Sequence, residues 1–425
     1  MSKINNRKKK FLIILFSSIL LVLSVFAVIS YINYSKEKEL EAEKTNKENL
    51  LKEINSSYNK YVKTNKKSKL YVLESGKYNE IGSVKENVEL ELNDIQITYK
   101  TQYFHIKGLD CYISYKDVEK IDVLSTKNIH YKEYVVFNEN VLTTNPTKFY
   151  SEDNLVYTIN KEFDLPIIIK DIDKYYVEYN NELFYVKKDN VKETKESNNS
   201  SEEVRTNIRT LTYHTIYNTE TEKCTNTVIC HPIEQFDSHM KYLSENDYFT
   251  LTMEDLELFL DEKIQIPKKS VVITLDDGKY AINAVNIVEK YKVNATYFII
   301  TGRYEIPDVE TTYMNFESHT DNMHNNWKCS GGNQGGELLC ADENKILEDL
   351  KNSQEKLGGS TAFAYPFFDF NERAINLLKQ AGFKLAFIGQ YDTDGYSYPY
   401  TDKMKLRRKT IFSSDSKEKY ISYLK

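Results

Sequence analysis

The chain has 425 residues, 40% of them hydrophobic and 13% aromatic, enough apolar side chain for two or three separate cores. Its 57 basic and 63 acidic residues give a net charge of −6 and are interleaved, with no basic stripe beyond the first ten positions. That distribution lacks the electrostatic footprint of a nucleic-acid-binding protein and sets that class aside.

Residues 1–10 form a basic tail carrying Lys3, Arg7, Lys8, Lys9 and Lys10, followed by an uncharged stretch of 22 residues from Phe11 to Ile32. At 1.5 Å per residue that stretch covers a hydrocarbon core of ~30 Å, so a transmembrane helix is expected over 11–32. The positive-inside preference keeps the basic tail cytoplasmic and sends everything after Ile32 outside the cell. A cleaved signal peptide is the competing reading, but the apolar run exceeds a usual signal core and no A-x-A site follows.

Residues 33–65 are rich in Lys, Glu and Asn with few helix breakers, which predicts a solvated helical stalk. Two stretches of Tyr, Val, Ile and Phe in short runs follow, 66–122 and 123–193, with the pattern of small antiparallel sheets. YFHIKGLDCYISYKDVEKI (103–121) aligns with YYVEYNNELFYVKKDNVKE (175–193), a repeat of roughly seventy residues. This resembles bacterial SH3-like modules, a resemblance that implies binding to cell-wall peptides or glycans; a purely structural spacer is the alternative. Residues 194–207 are polar and serve as a linker.

From 208 to 425 the rhythm becomes strands alternating with amphipathic helices. RTLTYHTI, YFTLT, SVVITL, ATYFII, TYMNFES, STAFAYP and KLAFIG read as strands, with helical patterns between them. About seven β/α units of this kind predict a distorted α/β barrel, in which chemistry sits at the C-terminal ends of the strands.

Three strand ends carry such chemistry. SVVITL runs into Asp276-Asp277-Gly278, where one carboxylate is able to bind a metal while its neighbour accepts a proton from activated water. The next pairs His319 with His324, five residues apart; His is scarce, seven in the chain. Two histidines and one carboxylate leave positions open for water and substrate, as catalytic zinc sites do. The third is Phe363-Ala364-Tyr365-Pro366-Phe367, where aromatics around a proline form a groove wall and a rigid backbone presents an N–H to a developing oxyanion. Cys224 and Cys230 lie close together, as do Cys329 and Cys340, while Cys111 stands alone. Outside the cell the near pairs are disulfide candidates, with cross-pairing left open; a structural zinc site is disfavoured because no pair has C-x-x-C spacing.

T-L-D-D-G (274–278), S-H-T-D-N-M-H (318–324) and F-A-Y-P-F (363–367), in this order on a β/α pattern, resemble the polysaccharide deacetylases of the NodB-homology type, carbohydrate esterase family 4. The resemblance implies Asp276 as base, Asp277, His319 and His324 as ligands of a divalent metal, and backbone around Tyr365, Pro366 and Phe367 as the oxyanion site. Zinc is the default metal, with cobalt and nickel as alternatives. It further implies an acetylated polysaccharide as substrate, whether peptidoglycan or poly-N-acetylglucosamine.

The pattern departs from the family in places. The histidine spacing is stretched by one residue, the third motif lacks its Arg, Phe368 stands where Gly is common, and no histidine follows His324 to act as the late general acid. The branch of poly-N-acetylglucosamine deacetylases shares the stretched spacing and takes its acid from an early strand, which assigns that role to His214. Two other readings stand beside this one. A two-His-one-carboxylate set also describes non-haem iron oxygenases; the missing Arg and late His suit a wall-binding protein without activity. The Asp-Asp pair has no role in either. The loop 325–341, holding the only Trp, is expected to shape substrate choice.

Overall fold

The structure is a computed structural model that describes residues 2–57, 60–97, 102–124, 130–389 and 394–425. It divides into two compact units, the first made of residues 1–127, 144–163 and 179–184, the second of 128–143, 164–178 and 185–425.

The first unit begins with helix α1 (Ser2–Ser57), which runs unbroken from the basic tail through the apolar stretch into the Lys/Glu-rich segment. It is long and apolar enough to cross a membrane by length and composition. Phe11 is 69% and Phe26 63% exposed, so the protein itself covers neither. Nine strands of this unit pair antiparallel in the order 147–151, 154–159, 77–84, 68–74, 112–114, 102–106, 89–97, 61–64 and 118–121. The strands at 147–151 and 154–159 therefore share a sheet with the preceding stretch. Alternation buries Leu70, Phe104, Ile106 and Ile113 on one face. The aligned segments also fold alike locally: strand, strand, short 3-10 turn and strand over 102–121, and the same sequence over 174–196.

The second unit is dominated by a closed ring of seven parallel strands: β1 (Ile208–Tyr213), β2 (Ser270–Asp277), β3 (Ala295–Ile299), β4 (Met314–Ser318), β5 (Ala362–Ala364), β6 (Leu385–Gly389) and β7 (Leu406–Thr410). Neighbours pair in chain order except that β1 lies between β7 and β2: Leu211 faces Lys409 on one side and Ile273 on the other. Two expectations shift here. YFTLT contributes only the two-residue strand Phe249–Thr250 beside β2, outside the ring. The seventh ring strand is instead LRRKT, whose charged residues hid its strand pattern from period-2 reading.

Helices cover the ring. α2 (Ile233–Glu245) buries Phe236, Met240 and Leu243, and α4 (Ala281–Tyr291) buries Ala284, Val285 and Val288, all in one core with Leu211, Ile273 and Tyr297. Between them α3 (Met253–Leu260) starts at a capping box in which Thr252 and Asp255 satisfy each other's backbone N–H groups. α5 (Glu343–Lys356) is capped by the Asp342 carboxylate and α6 (Glu372–Gln380) by Asn371, which fixes where each helix begins above the sheet.

Candidate active site

The C-terminal ends of β1, β2, β4, β5 and β7 open into one cavity of about 590 Å³. Its wall includes His214, Asp276, Asp277, His319 and His324, together with Tyr365, Phe367 and Phe368.

At the end of β2 the backbone turns sharply. Asp277 has φ +77° and Gly278 φ +110°, and a Cβ at Gly278 would lie 2.4 Å from the Ile299 side chain, so only glycine fits there. This turn sends the Asp276 carboxylate toward β7 and the Asp277 carboxylate toward the histidines. Asp277 Oδ1 lies 3.8 Å from His319 Nε2 and 3.5 Å from His324 Nε2. All three donor atoms fall within 4.8 Å of one another. His319 Nδ1 is 2.7 Å from the Ala364 carbonyl, an acceptor only, so Nδ1 carries the proton and Nε2 keeps its lone pair toward Asp277. Burial lowers the pKa of both histidines, that of His324 to about 2, and the neutral rings suit a cation. Burial also raises Asp277, a carboxylate lacking a positive partner in direct contact. Two lone-pair nitrogens and one carboxylate oxygen are the donor set that a catalytic divalent ion takes, so the residues fit such an ion.

The loop between the histidines is held from two sides. On α5 the buried Asp349 carboxylate accepts the N–H groups of Asp321 (2.9 Å) and Asn322 (2.7 Å). The Thr301 and Gly302 N–H groups donate to the Thr320 and Asp321 carbonyls at 3.2 and 2.9 Å, and Arg303 donates to the His324 carbonyl.

Asp276 is 2% exposed and receives a bidentate pair from Arg408 of β7, Nη1 to Oδ1 at 2.6 Å and Nη2 to Oδ2 at 2.8 Å. Arg408 is fully buried and also donates to Thr212 Oγ1 at 3.2 Å. Burial alone would raise the Asp276 pKa, but the guanidinium outweighs it and holds the carboxyl at about 2. Arg408 escaped sequence reading because it comes from a strand more than forty residues beyond the third motif. Phe368 belongs to the same arrangement: its ring lies 5.5 Å from the guanidinium and occupies the space that a side chain at Gly389 would need.

His214 follows β1, lines the cavity, and its buried Nδ1 has no partner among the described residues. Burial pushes its pKa below the ordinary value. His231 and His239 serve the core instead. His239 bonds the Tyr213 hydroxyl at 3.0 Å and stacks on Tyr420 at 3.9 Å, while His231 contacts Gln235 and the Ile411 carbonyl.

Around the third motif the expectation for Tyr365 changes. Its N–H donates to the Phe387 carbonyl at 3.1 Å, its hydroxyl donates to the Met404 carbonyl, and Pro366 has no N–H. The next backbone donor along the motif is Phe367 N–H, in a turn where Phe367 has φ +58°.

Cys224–Cys230 and Cys329–Cys340 are the disulfides, with Cα separations of 6.2 and 5.7 Å. Each closes a loop that reaches the cavity, the first through Asn226 and Ile229, the second through Asn333 and Gln334. The Asp369 carboxylate, 2% exposed, gathers the second loop by accepting the N–H groups of Asn333, Gln334 and Gly336.

Residues 263–386 match the family model described as polysaccharide deacetylase. Over 175 residues the chain is 34% identical to the poly-beta-1,6-N-acetyl-D-glucosamine N-deacetylase of Staphylococcus aureus (strain MRSA252), an alignment covering 36% of this chain and 59% of that protein. A putative polysaccharide deacetylase of Bacillus subtilis (strain 168) is 28% identical over 167 residues, covering 36% of this chain and 57% of that one. The chain thus spans less than two thirds of the length of the curated relatives it matches. Among solved structures, a Streptococcus pyogenes deacetylase in complex with acetate superposes with a TM-score of 0.42 at 22% identity, covering 52% of this chain and 98% of that one. A Bacillus cereus polysaccharide deacetylase gives 0.41 at 20% identity, covering 79% and 100%.

Proposed function

We propose that this chain, whose residues 263–386 carry the polysaccharide deacetylase sequence, is a divalent-metal-dependent hydrolase that removes N-acetyl groups from a poly-N-acetylglucosamine-type polysaccharide outside the cell. The observation that carries the reading is the convergence in one cavity of a three-atom metal donor set and a separate, ionised carboxylate paired with arginine.

Asp277, His319 and His324 hold the ion, for which zinc is the first candidate and cobalt or nickel the alternatives. When bound, such an ion supplies Lewis acidity, activating water and polarising the acyl oxygen. The residues do the rest. Asp276, kept ionised by Arg408, accepts the water's proton at a carboxylate oxygen. Phe367 N–H donates to the oxygen on which negative charge develops. His214 faces the same cavity and passes a proton to the departing sugar amine. Because burial keeps His214 neutral at rest, that proton reaches it during turnover, with the neighbouring Asp276 as the source.

Two absences favour an inactive wall-binding protein, the third-motif arginine and the late histidine; Arg408 supplies the first charge from another strand, and His214 stands in for the second. α1 anchors the protein in the membrane with its basic end cytoplasmic, and the repeated β-rich stretches are SH3-like modules that contact the cell wall.

Acetate release by the full chain in detergent, with zinc, is the test, on poly-β-1,6-N-acetylglucosamine and on peptidoglycan beside an Asp276→Asn control. Release abolished by the substitution is the expected result, faster on the first polymer. Zinc binding without release from either would remove the deacetylase reading.

A further inference from the structure

We propose that the loop 325–341 carries a second sugar-binding subsite, built on Trp327, that stacks against the hexosamine unit next to the one whose acetamide enters the catalytic cavity. This rests on the deacetylase reading of that cavity and adds to it a residue that senses the polymer rather than the bond.

Trp327 is the only tryptophan of the chain, and it is 76% exposed. A single exposed apolar side chain is ordinary. A large one carried on a backbone held by this many constraints is not. The Trp327 N–H donates to the Gln334 carbonyl at 2.8 Å, and those of Lys328 and Cys329 donate to the Gly335 carbonyl at 2.9 and 3.0 Å. Gly335 has φ +62°, and a Cβ there would lie 2.3 Å from the Cys329 carbonyl oxygen, so the two arms of the loop approach as closely as glycine permits. The Cys329–Cys340 disulfide ties the arms together, and Asp369 fixes the far arm through three N–H groups. Trp327 itself sits at φ +56°, a strained position for an aromatic residue that persists because its surroundings determine it. A loop backbone ordered before its partner arrives loses little freedom on binding.

The position points to the occupant. Gln334, the backbone partner of Trp327, lines the catalytic cavity with Asn333, so the backbone that carries the indole lies one hydrogen-bonded pair from the cavity wall. Beyond the proposed catalytic groups, the cavity wall is uncharged among the described residues: Asn226, Ile229, Asn333 and Gln334 supply carboxamides and apolar surface. That lining suits neutral sugars bearing hydroxyl and acetamide groups and offers no counter-charge to an anionic polymer. An indole face accepts the C–H-bearing face of a pyranose ring, and its N–H reaches a hydroxyl.

Having one tryptophan makes the test direct. The Asp276→Asn chain, which does not consume its ligand, is titrated with N-acetylglucosamine monomer and with a β-1,6-linked hexamer while indole emission is recorded. Expected is a saturable change with hexamer at concentrations where monomer has no effect. In the active chain, Trp327→Ala raises KM for hexamer deacetylation by about tenfold, in line with truncation of an interface tryptophan, and Trp327→Tyr recovers most of it. Emission unmoved by hexamer, together with an unchanged KM in Trp327→Ala, overturns the subsite and leaves the deacetylase standing. Absence of acetate release from any glycan by the unsubstituted chain overturns both.

Discussion

Arg408 and Asp276 form a bidentate ion pair with both side chains at most 2% exposed, joining β7 to the end of β2 across β1. Removing either partner of a buried pair strands the other charge, a larger effect than losing a hydrogen bond. Arg408→Met is therefore expected to destabilise the barrel by about 3–5 kcal/mol, read from urea unfolding. In whatever fraction folds, Asp276 loses the charge that offsets its burial, its pKa rises, and the acid limb of the pH–rate profile moves toward neutrality. An acid limb in the same place as that of the unsubstituted chain would show that Arg408 does not set the state of the base.

The donor triad makes metal removal a stability measurement as well as an activity measurement. Zinc at 1,000 times its dissociation constant stabilises the folded state by about 4 kcal/mol if the unfolded chain binds none. Stripping the protein with a chelator and restoring zinc is expected to lower and then raise its melting temperature. His319→Ala and Asp277→Ala abolish the response; a full response in either substitution would place the ion elsewhere.

Asp349 touches neither the cavity nor the proposed ligands, yet it holds the backbone between His319 and His324. Asp349→Asn preserves volume but turns an amide donor toward N–H donors. Its expected signature is a zinc affinity lower by about 10–100-fold, the range for residues that orient metal ligands, measured by competition with a chromophoric chelator. Unchanged affinity with a lowered melting temperature would restrict Asp349 to the fold.

His239 provides a pH test away from the site. Burial pushes its pKa down to about 3, so the folded state keeps it neutral while the unfolded chain protonates near its ordinary value of about 6.5. Its contribution to stability is complete above that value and is lost as pH falls toward about 3, with a slope of up to about 1.4 kcal/mol per pH unit. His239→Phe retains a ring for Tyr420 and removes one titrating group. Between about pH 6 and pH 4 its urea stability should vary less steeply than that of the parent chain.

Much of the site could be read from strand ends. The Asp276-Asp277-Gly278 turn and the two histidines are local features, set by a few consecutive residues, and the cavity lining brings them together. What stayed hidden is non-local. Arg408 lies on a strand that alternates Leu, Arg, Arg, Lys and Thr, and only closure of the ring decides that Arg408 points inward while Arg407 is exposed. Tyr365 illustrates the same limit at short range: its N–H belongs to Phe387 because β5 and β6 pair there, a fact of register that spacing alone does not contain. Asp349 and Asp369 look like ordinary helix and loop acids until the backbones they gather are seen.

The order of strands in the ring also bears on how the barrel matures. β1 is made early and β7 late, and they are neighbours although about two hundred residues separate them, so ring closure is a long-range event that delays folding. Until β7 arrives, β1 has one unpaired edge and Asp276 has no counter-charge. A chain whose synthesis has not reached β7 thus carries Asp277, His319 and His324 before Asp276 has its partner, and completing the cylinder and pairing the carboxylate become the same step.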